Sequence, residues 1–383
     1  MIRWGTFVVA ALLAVACQSP PAAPSGRTAP ATVTSAPAGT AAAPGSAVAP
    51  AVAVPAAPTA AAPSGALHTV RVGGVGSAAE ATFYWAQEQG YLREEGLDLD
   101  MQTFNGAQVM IPPLSADQLD VGSGGPGPGL FNAILRGVNL RIVADRSRAA
   151  PGTRNQCLMA RKSLLDSGAV RSFADWKGRV FAENVPGVLT TQLIDRELQR
   201  AGLSLQNDVT SVALGFPEMF TAFANEAADF GILIEPFMTL AEEQGIAQCW
   251  RPTSELGPNF QIAVTLYGPT FAEQRADVAR RFMVANLRAM RDYLRAFYGD
   301  GQGRPEYLQL MARVSNIRDP DLLARLQSTW SDPNGAVNVE SLRDTQRWYV
   351  GRGEQTGEVD FSRVVDMSFV DYAISRLGRA PGT

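Results

Sequence analysis

A single histidine, His68, stands in this chain of 383 residues. A Ser-His-Asp relay would have to use it, yet it precedes the first strand pattern and lies beside an Ala/Pro-rich stretch. No His, Cys and carboxylate residues fall at metal-ligand spacing. The Gly-rich run Gly122–Gly129 lacks the lysine of a phosphate loop. These gaps argue against an enzyme and imply neither metal nor cofactor. The formal net charge of −4 gives no electrostatic case for nucleic acid, which is met by a clustered basic face.

What remains is noncovalent recognition by polar residues in loops. In an open parallel sheet, ligands sit outside the carboxyl ends of the strands, near the N-termini of the following helices. The candidates in the first half are Ser77, Glu80 and Thr82, then Asn105 and Gly106, then Ser123 and Gly124, with Arg146 facing a hinge. In the second half they are Asn184, Gly187 and Thr190, then Phe216 and Glu218, then Glu235. Each also has a plain role as a loop or cap residue; Glu218 directly after Pro217 suits a first helical turn without any ligand. Phe83, Tyr84 and Trp85 are consecutive, so they cannot all face one way on a helix; one or two pack in the core and one can line the cleft.

The elements that would position these residues are legible from periodicity. Val70–Gly73 reads as a strand and Thr82–Gln89 as a helix stopped by Gly90. Leu97-Asp98-Leu99-Asp100-Met101 alternates as a half-buried strand does. Leu119–Gly122 and Asn139–Ala144 continue the strand series; within Val109–Leu119, Pro112-Pro113 would either start a helix or kink it. A second series follows, with strands at Cys157–Ala160, Val180–Glu183, Val209–Ala213 and Phe230–Ile234. Gln261–Tyr267 returns as a strand, and the chain beyond it is mainly helical. Alternating strands and helices predict an α/β fold with parallel-type sheets in two lobes: 66–152 with 258–383, and 153–257.

Residues 1–17 read as a targeting segment: Met1-Ile2-Arg3, an apolar run too short to span a bilayer, then Leu13-Ala14-Val15-Ala16-Cys17. This resembles a bacterial lipoprotein signal, with Cys17 as the lipidated residue; an ordinary secretory signal with an incidental cysteine is the other reading. Residues 18–65 hold 18 Ala, 10 Pro and one charge, Arg27, so they predict a tether without fixed structure. With Cys17 assigned to the anchor, Cys157 and Cys249 remain as an even pair in an oxidising compartment. They are expected either as a disulfide or as two buried thiols.

The run Thr82-Phe83-Tyr84-Trp85-Ala86, Gly90-Tyr91-Leu92 and Glu95-Gly96-Leu97 resembles the opening signature of a family of ABC-importer substrate-binding proteins. That family includes binders of nitrate, taurine, alkanesulfonates and thiamine-precursor pyrimidines. Leu119-Asp120-Val121-Gly122, Asp175-Trp176-Lys177-Gly178, Ala228-Asp229 and the tail Asp366–Ala373 extend the resemblance over most of the chain after the tether. It implies a two-lobed periplasmic-binding-protein type II fold with a hinge, an interlobe cleft and a helical C-terminal part. It also implies a monomeric, lipid-anchored receptor outside the cytoplasmic membrane that hands a small molecule to an ABC permease and its ATPase subunits. A pyrimidine synthase shares this fold family, but it depends on histidine and a cysteine cluster that this chain lacks. Glu80, Glu218 and Glu235 against the one cation Arg146 favour a neutral or weakly cationic planar heterocycle, such as a thiamine pyrimidine or a flavin. Sulfonate, nitrate or another small anion is second. A cell-surface adhesin is the reading from a different class, favoured by the long tether.

Overall fold

A computed structural model describes residues 66–184, 187–315, 320–326 and 328–381. The targeting segment 1–17 with Cys17, the stretch 18–65 and residues 185–186 of the loop after Glu183 lie outside the described residues.

Ten strands are formed among the described residues, in chain order β1 His68–Gly74, β2 Leu97–Thr103, β3 Val121–Gly124, β4 Arg141–Ala149, β5 Gln156–Arg161, β6 Val180–Glu183, β7 Thr210–Ala213, β8 Phe230–Ile234, β9 Ala247–Pro252 and β10 Phe260–Tyr267. They assemble into two five-stranded sheets, β2-β1-β3-β10-β4 and β7-β6-β8-β5-β9. The chain leaves the first sheet after β4, builds the second, and returns through β10. It re-enters between β3 and β4, antiparallel to both. In the second sheet β5 runs antiparallel to β8 and β9. The sheets are therefore mixed rather than purely parallel, because the strands next to each crossing run against their neighbours.

Position in the sheet explains the sequence patterns. β2 is an edge strand paired only with β1, in parallel register from His68 opposite Leu97 to Gly74 opposite Thr103. Its Asp98, Asp100 and Gln102 face water while Leu97 is buried, which is the alternation of a strand with one wet face. β3 is covered on both faces and is buried throughout. Gly90, with φ of 77°, ends the helix Ala81–Glu88 where a side chain would be strained. The helix after Val109 starts at its prolines: Ile111–Ser115 has Pro in its first turn, where the missing N–H is not needed.

The largest core lies behind the first sheet. Helix Ala276–Tyr298 buries Phe282, Met283 and Leu287 against helix Ala81–Glu88. Phe83 stacks on Phe282 with centroids 5.8 Å apart, and Trp85 stacks on Tyr307 at 3.7 Å. Each such ring pair adds about 0.5–1.5 kcal/mol beyond its buried area. Phe83 and Trp85 thus anchor the helix in the core, and Tyr84 between them is half-buried at its edge. In the second sheet Trp176 stacks on Phe230 at 3.7 Å. β9 has only a weak sequence signal, being an edge strand that ends in a proline. It pairs Cys249 with Met159 of β5, and the Cys157–Cys249 disulfide joins the two strands with Cα atoms 5.5 Å apart. No helix among the described residues is long and apolar enough to cross a membrane.

Candidate functional site

The strand ends of the two sheets face each other across a cavity whose space for the centre of a water-sized sphere is ≈ 100 Å³. From the first sheet and its loops come Val75, Ser77, Glu80, Ser123 and Gly124. From the second come Asn184, Thr190, Phe216, Ile232 and Glu235. Eight of the fourteen sequence candidates are thereby gathered at one place: Ser77, Glu80, Ser123, Gly124, Asn184, Thr190, Phe216 and Glu235.

Glu80 is set by the short turn Ala78–Glu80 that leads from β1 into the helix Ala81–Glu88. Its carboxyl folds back on the end of β1. Oε2 accepts from the Ser77 N–H at 2.5 Å, and Oε1 accepts from the Val75 N–H at 3.3 Å and the Ser123 hydroxyl at 3.1 Å. A Cβ at Gly74 would lie 2.8 Å from the Glu80 carboxyl carbon, so glycine is what lets the carboxyl come this close. Burial pushes this carboxyl above the ordinary glutamate value of 4.5; the Arg146 charge and the Val75 and Ser77 N–H groups oppose that rise without cancelling it.

Glu235, at the end of β8, is also buried. It accepts from the Thr239 N–H at 3.1 Å and the Thr239 hydroxyl at 2.8 Å, in the first turn of the helix Phe237–Glu243. Val188, Leu189 and Thr190 bring the N-terminus of the twelve-residue helix Leu189–Arg200 to the cavity wall. Its N-cap residue, Val188, makes no side-chain cap, so the first N–H groups of that helix favour a carbonyl oxygen or an anion there.

Six candidates do not line the cavity. Arg146 lies within β4, which runs past the expected end at Ala144 to Ala149, and it is fully buried. Its guanidinium supports the Glu80 turn from beneath: it donates to the Ala79 carbonyl, to the Thr82 hydroxyl at 2.8 Å and to Asn286 Oδ1 at 3.1 Å. It also covers the Phe83 ring at 3.8 Å. Burial lowers its pKa to about 10. Thr82 is buried too, donating to the Ala79 carbonyl, so it shapes the same turn. Asn105 is exposed and its carbonyl accepts from Asn184 Nδ2 at 2.9 Å, a contact between loops of the two sheets at the cavity rim. Gly106 precedes the turn Ala107–Met110, and Ala107 lines the cavity in its place. The Gly187 N–H donates to Glu183 Oε2, which also accepts from the Thr191 hydroxyl; the glycine, with φ of 68°, closes the loop rather than facing ligand. Glu218 is exposed and its carboxylate folds back over Gly215 in the first turn of helix Phe216–Ala224, where an acidic side chain suits the helix dipole.

Sequence reasoning missed a polar group on the crossing side. Ser147 lies in β4, Asn155 and Gln156 open the second sheet, and Thr329 belongs to the C-terminal part. Asn155 donates to the Ser147 hydroxyl at 3.0 Å, and the Ser147 and Thr329 hydroxyls pair at 2.9 Å. The run Asp145-Arg146-Ser147-Arg148 looks like a loop because strands seldom bury four polar residues in sequence. Here each has partners: Asp145 accepts from Gln261 Nε2 at 2.6 Å and from the Asp332 N–H at 2.6 Å, and Arg148 pairs with Asp145 at 3.3 Å.

Among the described residues, the cavity wall carries two buried carboxyl groups and no Lys, Arg or His side chain. The remaining polar groups are neutral, and the rest of the wall is aliphatic apart from Phe216. Such a site sorts small molecules by hydrogen bonding and shape.

Two mixed sheets joined by crossing strands, with a cavity between their loop ends, define the two-lobed periplasmic-binding-protein class of fold. The nitrate-binding protein NrtA of Synechocystis PCC 6803 has a similar structure, with a TM-score of 0.68, 14% identity, and coverage of 82% of this chain and 89% of that one. The alkanesulfonate-binding protein SsuA of Xanthomonas axonopodis pv. citri, solved bound to MOPS, gives a TM-score of 0.63 at 19% identity, covering 79% of this chain and 99% of that one. In sequence, the chain is 23% identical to YtlA of Bacillus subtilis (strain 168) over 213 residues, 55% of this chain and 61% of that protein. Residues 78–296, more than half of the chain, match the family described as NMT1/THI5 like, and the chain belongs to that family.

Proposed function

We propose that this chain is the extracytoplasmic substrate-binding lipoprotein of an ABC importer. In this reading residues 1–17 are the signal, Cys17 carries the lipid anchor, and 18–65 tether the receptor to the membrane. The lobes 66–152 with 258–383, and 153–257, close by a hinge on a small molecule, and the closed monomer is presented to a permease with its ATPase subunits. The family membership and the two-lobed fold support the receptor role. A fold of this kind does not by itself decide function, so the ligand is argued from the cavity.

One observation carries the ligand class: Glu80 and Glu235 are buried in the cavity wall, and no cationic side chain lines it among the described residues. Carboxyl oxygens accept hydrogen bonds from ring N–H and amino groups, and a neutral or weakly cationic planar heterocycle presents these. Phe216 offers a flat apolar face, and the N-terminus of helix Leu189–Arg200 offers donors for a ring nitrogen or carbonyl. A thiamine pyrimidine or a flavin fits this description. The second reading, a sulfonate, nitrate or similar anion, rests on the same helix N-terminus and on the ligands in the names of the two similar structures. Against it stands the cost of bringing an anion beside two buried carboxyl groups in a cavity that no cationic side chain lines among the described residues. No catalytic role is assigned.

Mass spectrometry of small molecules released by denaturing the purified protein tests this directly. A planar nitrogen heterocycle is expected. A sulfonate or nitrate would overturn the ligand class and keep the receptor. Small-angle scattering separates receptor from adhesin: the receptor compacts when ligand is added, and an adhesin does not.

A further inference from the structure

Beside the main cavity lies a second one, with ≈ 60 Å³ of space for the centre of a water-sized sphere. The two share Ser77 and Glu80 as a common wall. They meet again at the second sheet, where Glu235 lines the first and its neighbour Pro236 lines the second. The rest of the second wall is of another character. It is built chiefly from Ala81, Tyr84, Met101, Met311 and Leu326, and Glu80 is its single charged residue among the described residues. Tyr84 is the least buried aromatic of the Phe83-Tyr84-Trp85 run; it packs at the edge of the main core, and its half-buried ring also lines this space. Methionine thioethers adapt to flat rings and favour sulfur–aromatic contact. At the rim, Val314 is 39% exposed, one of the few large hydrophobic side chains that face water among the described residues.

A polar cavity with carboxyl groups and an apolar, aromatic-walled cavity thus abut at one glutamate. We infer that the second cavity is a subsite, and that the ligand is bipartite. A hydrogen-bond-donating heterocycle occupies the main cavity, and an aromatic or branched apolar substituent attached to it extends past Ser77 and Glu80 into the Tyr84–Met101–Met311 space. This inference rests on the heterocycle reading above and narrows it. It predicts that the exposed Val314 becomes covered on binding. It also predicts that the size of the substituent, rather than the ring alone, sets discrimination among heterocycles, because burying apolar surface in a preformed slot adds affinity in proportion to area.

The test uses two probes on the intact protein, 4-aminopyrimidine and 4-amino-5-benzylpyrimidine, titrated calorimetrically and followed by stopped-flow fluorescence. The benzyl compound is expected to bind at least roughly tenfold tighter. Two variants fill the second cavity from its rim, Thr103→Trp and Val314→Trp; both positions are exposed, so folding is not at stake. Each is expected to weaken the benzyl compound by about tenfold or more and to change the short probe by less than about threefold. If the short probe binds and the benzyl group adds nothing, the subsite is wrong and the heterocycle reading stands. If the variants slow association and dissociation equally with Kd unchanged, the second cavity is a passage and not a subsite. If neither probe binds, both inferences fall.

Discussion

Arg146→Met removes one buried charge while keeping a similar apolar stem. Arg146 is fully buried, and the guanidinium remains protonated at neutral pH because its lowered pKa is still about 10. It donates to Thr82, Asn286 and the Ala79 carbonyl. Hydrogen bonds from a charged donor are worth about 1.5–3 kcal/mol each. Losing them is partly offset, because the buried cation itself no longer has to be desolvated. Glu80 is left buried without its nearest positive charge, and removal of one partner from such a group costs about 3–5 kcal/mol. We expect about 3 kcal/mol of lost stability at pH 7, read by urea unfolding with tryptophan fluorescence and an unchanged m-value. The loss should shrink at pH 5. Burial already raises the Glu80 carboxyl, and without Arg146 it rises further, so at lower pH it is neutral and needs no cation. A loss below about 1 kcal/mol, or one equal at both pH values, would refute the idea that Arg146 supports the Glu80 turn electrostatically.

Other expectations are narrower. The folded Glu80 carboxyl holds its proton more tightly than the unfolded one, so its contribution is fully present below about pH 4.5 and is lost as pH rises through the higher folded value. Glu80→Gln keeps the neutral form at every pH; its stability relative to the parent, followed by thermal unfolding, should therefore improve between pH 4 and pH 8. Reducing the Cys157–Cys249 bond frees a chain segment with a sequence separation of 92 residues. The chain-entropy argument gives about 4–5 kcal/mol for such a loop, so a clear drop in Tm with reductant is expected, absent in Cys157→Ser/Cys249→Ser. Glu218→Ala should leave ligand affinity within about twofold, since this exposed side chain lies outside the cavity; a larger change in Kd would mean that the carboxylate reaches the ligand.

The parts of the fold that were legible in the sequence are those where one face is wet. Alternation in Leu97–Met101 and the stop at Gly90 report local chemistry, and both appear in the structure. β9 was missed because an edge strand of mixed polarity ending in Pro252 carries little pattern. β4 was cut short at Ala144 because Asp145 and Arg148 read as solvated, whereas tertiary partners such as Gln261 and Asp332 satisfy Asp145 inside. The loop rule found Ser77, Glu80, Asn184, Thr190 and Glu235, since strand ends of both sheets point the same way toward the cleft. It could not find Thr329 or Asn155, which reach the cavity through connections far apart in sequence. It placed Arg146 beside the ligand because a cation near a hinge looks available; only its position under Ala79 and Thr82 shows that it is not.

The central claim is that a cavity walled by Glu80 and Glu235, without a lining cation, selects a hydrogen-bond-donating heterocycle over an anion. Isothermal titration of the purified, ligand-stripped protein with an aminopyrimidine and with an alkanesulfonate, in parallel with Glu80→Gln, tests it most directly. The account predicts micromolar or tighter binding of the aminopyrimidine, at least roughly tenfold weaker binding in Glu80→Gln, and no measurable sulfonate binding. Tight sulfonate binding with no response to the aminopyrimidine would contradict it.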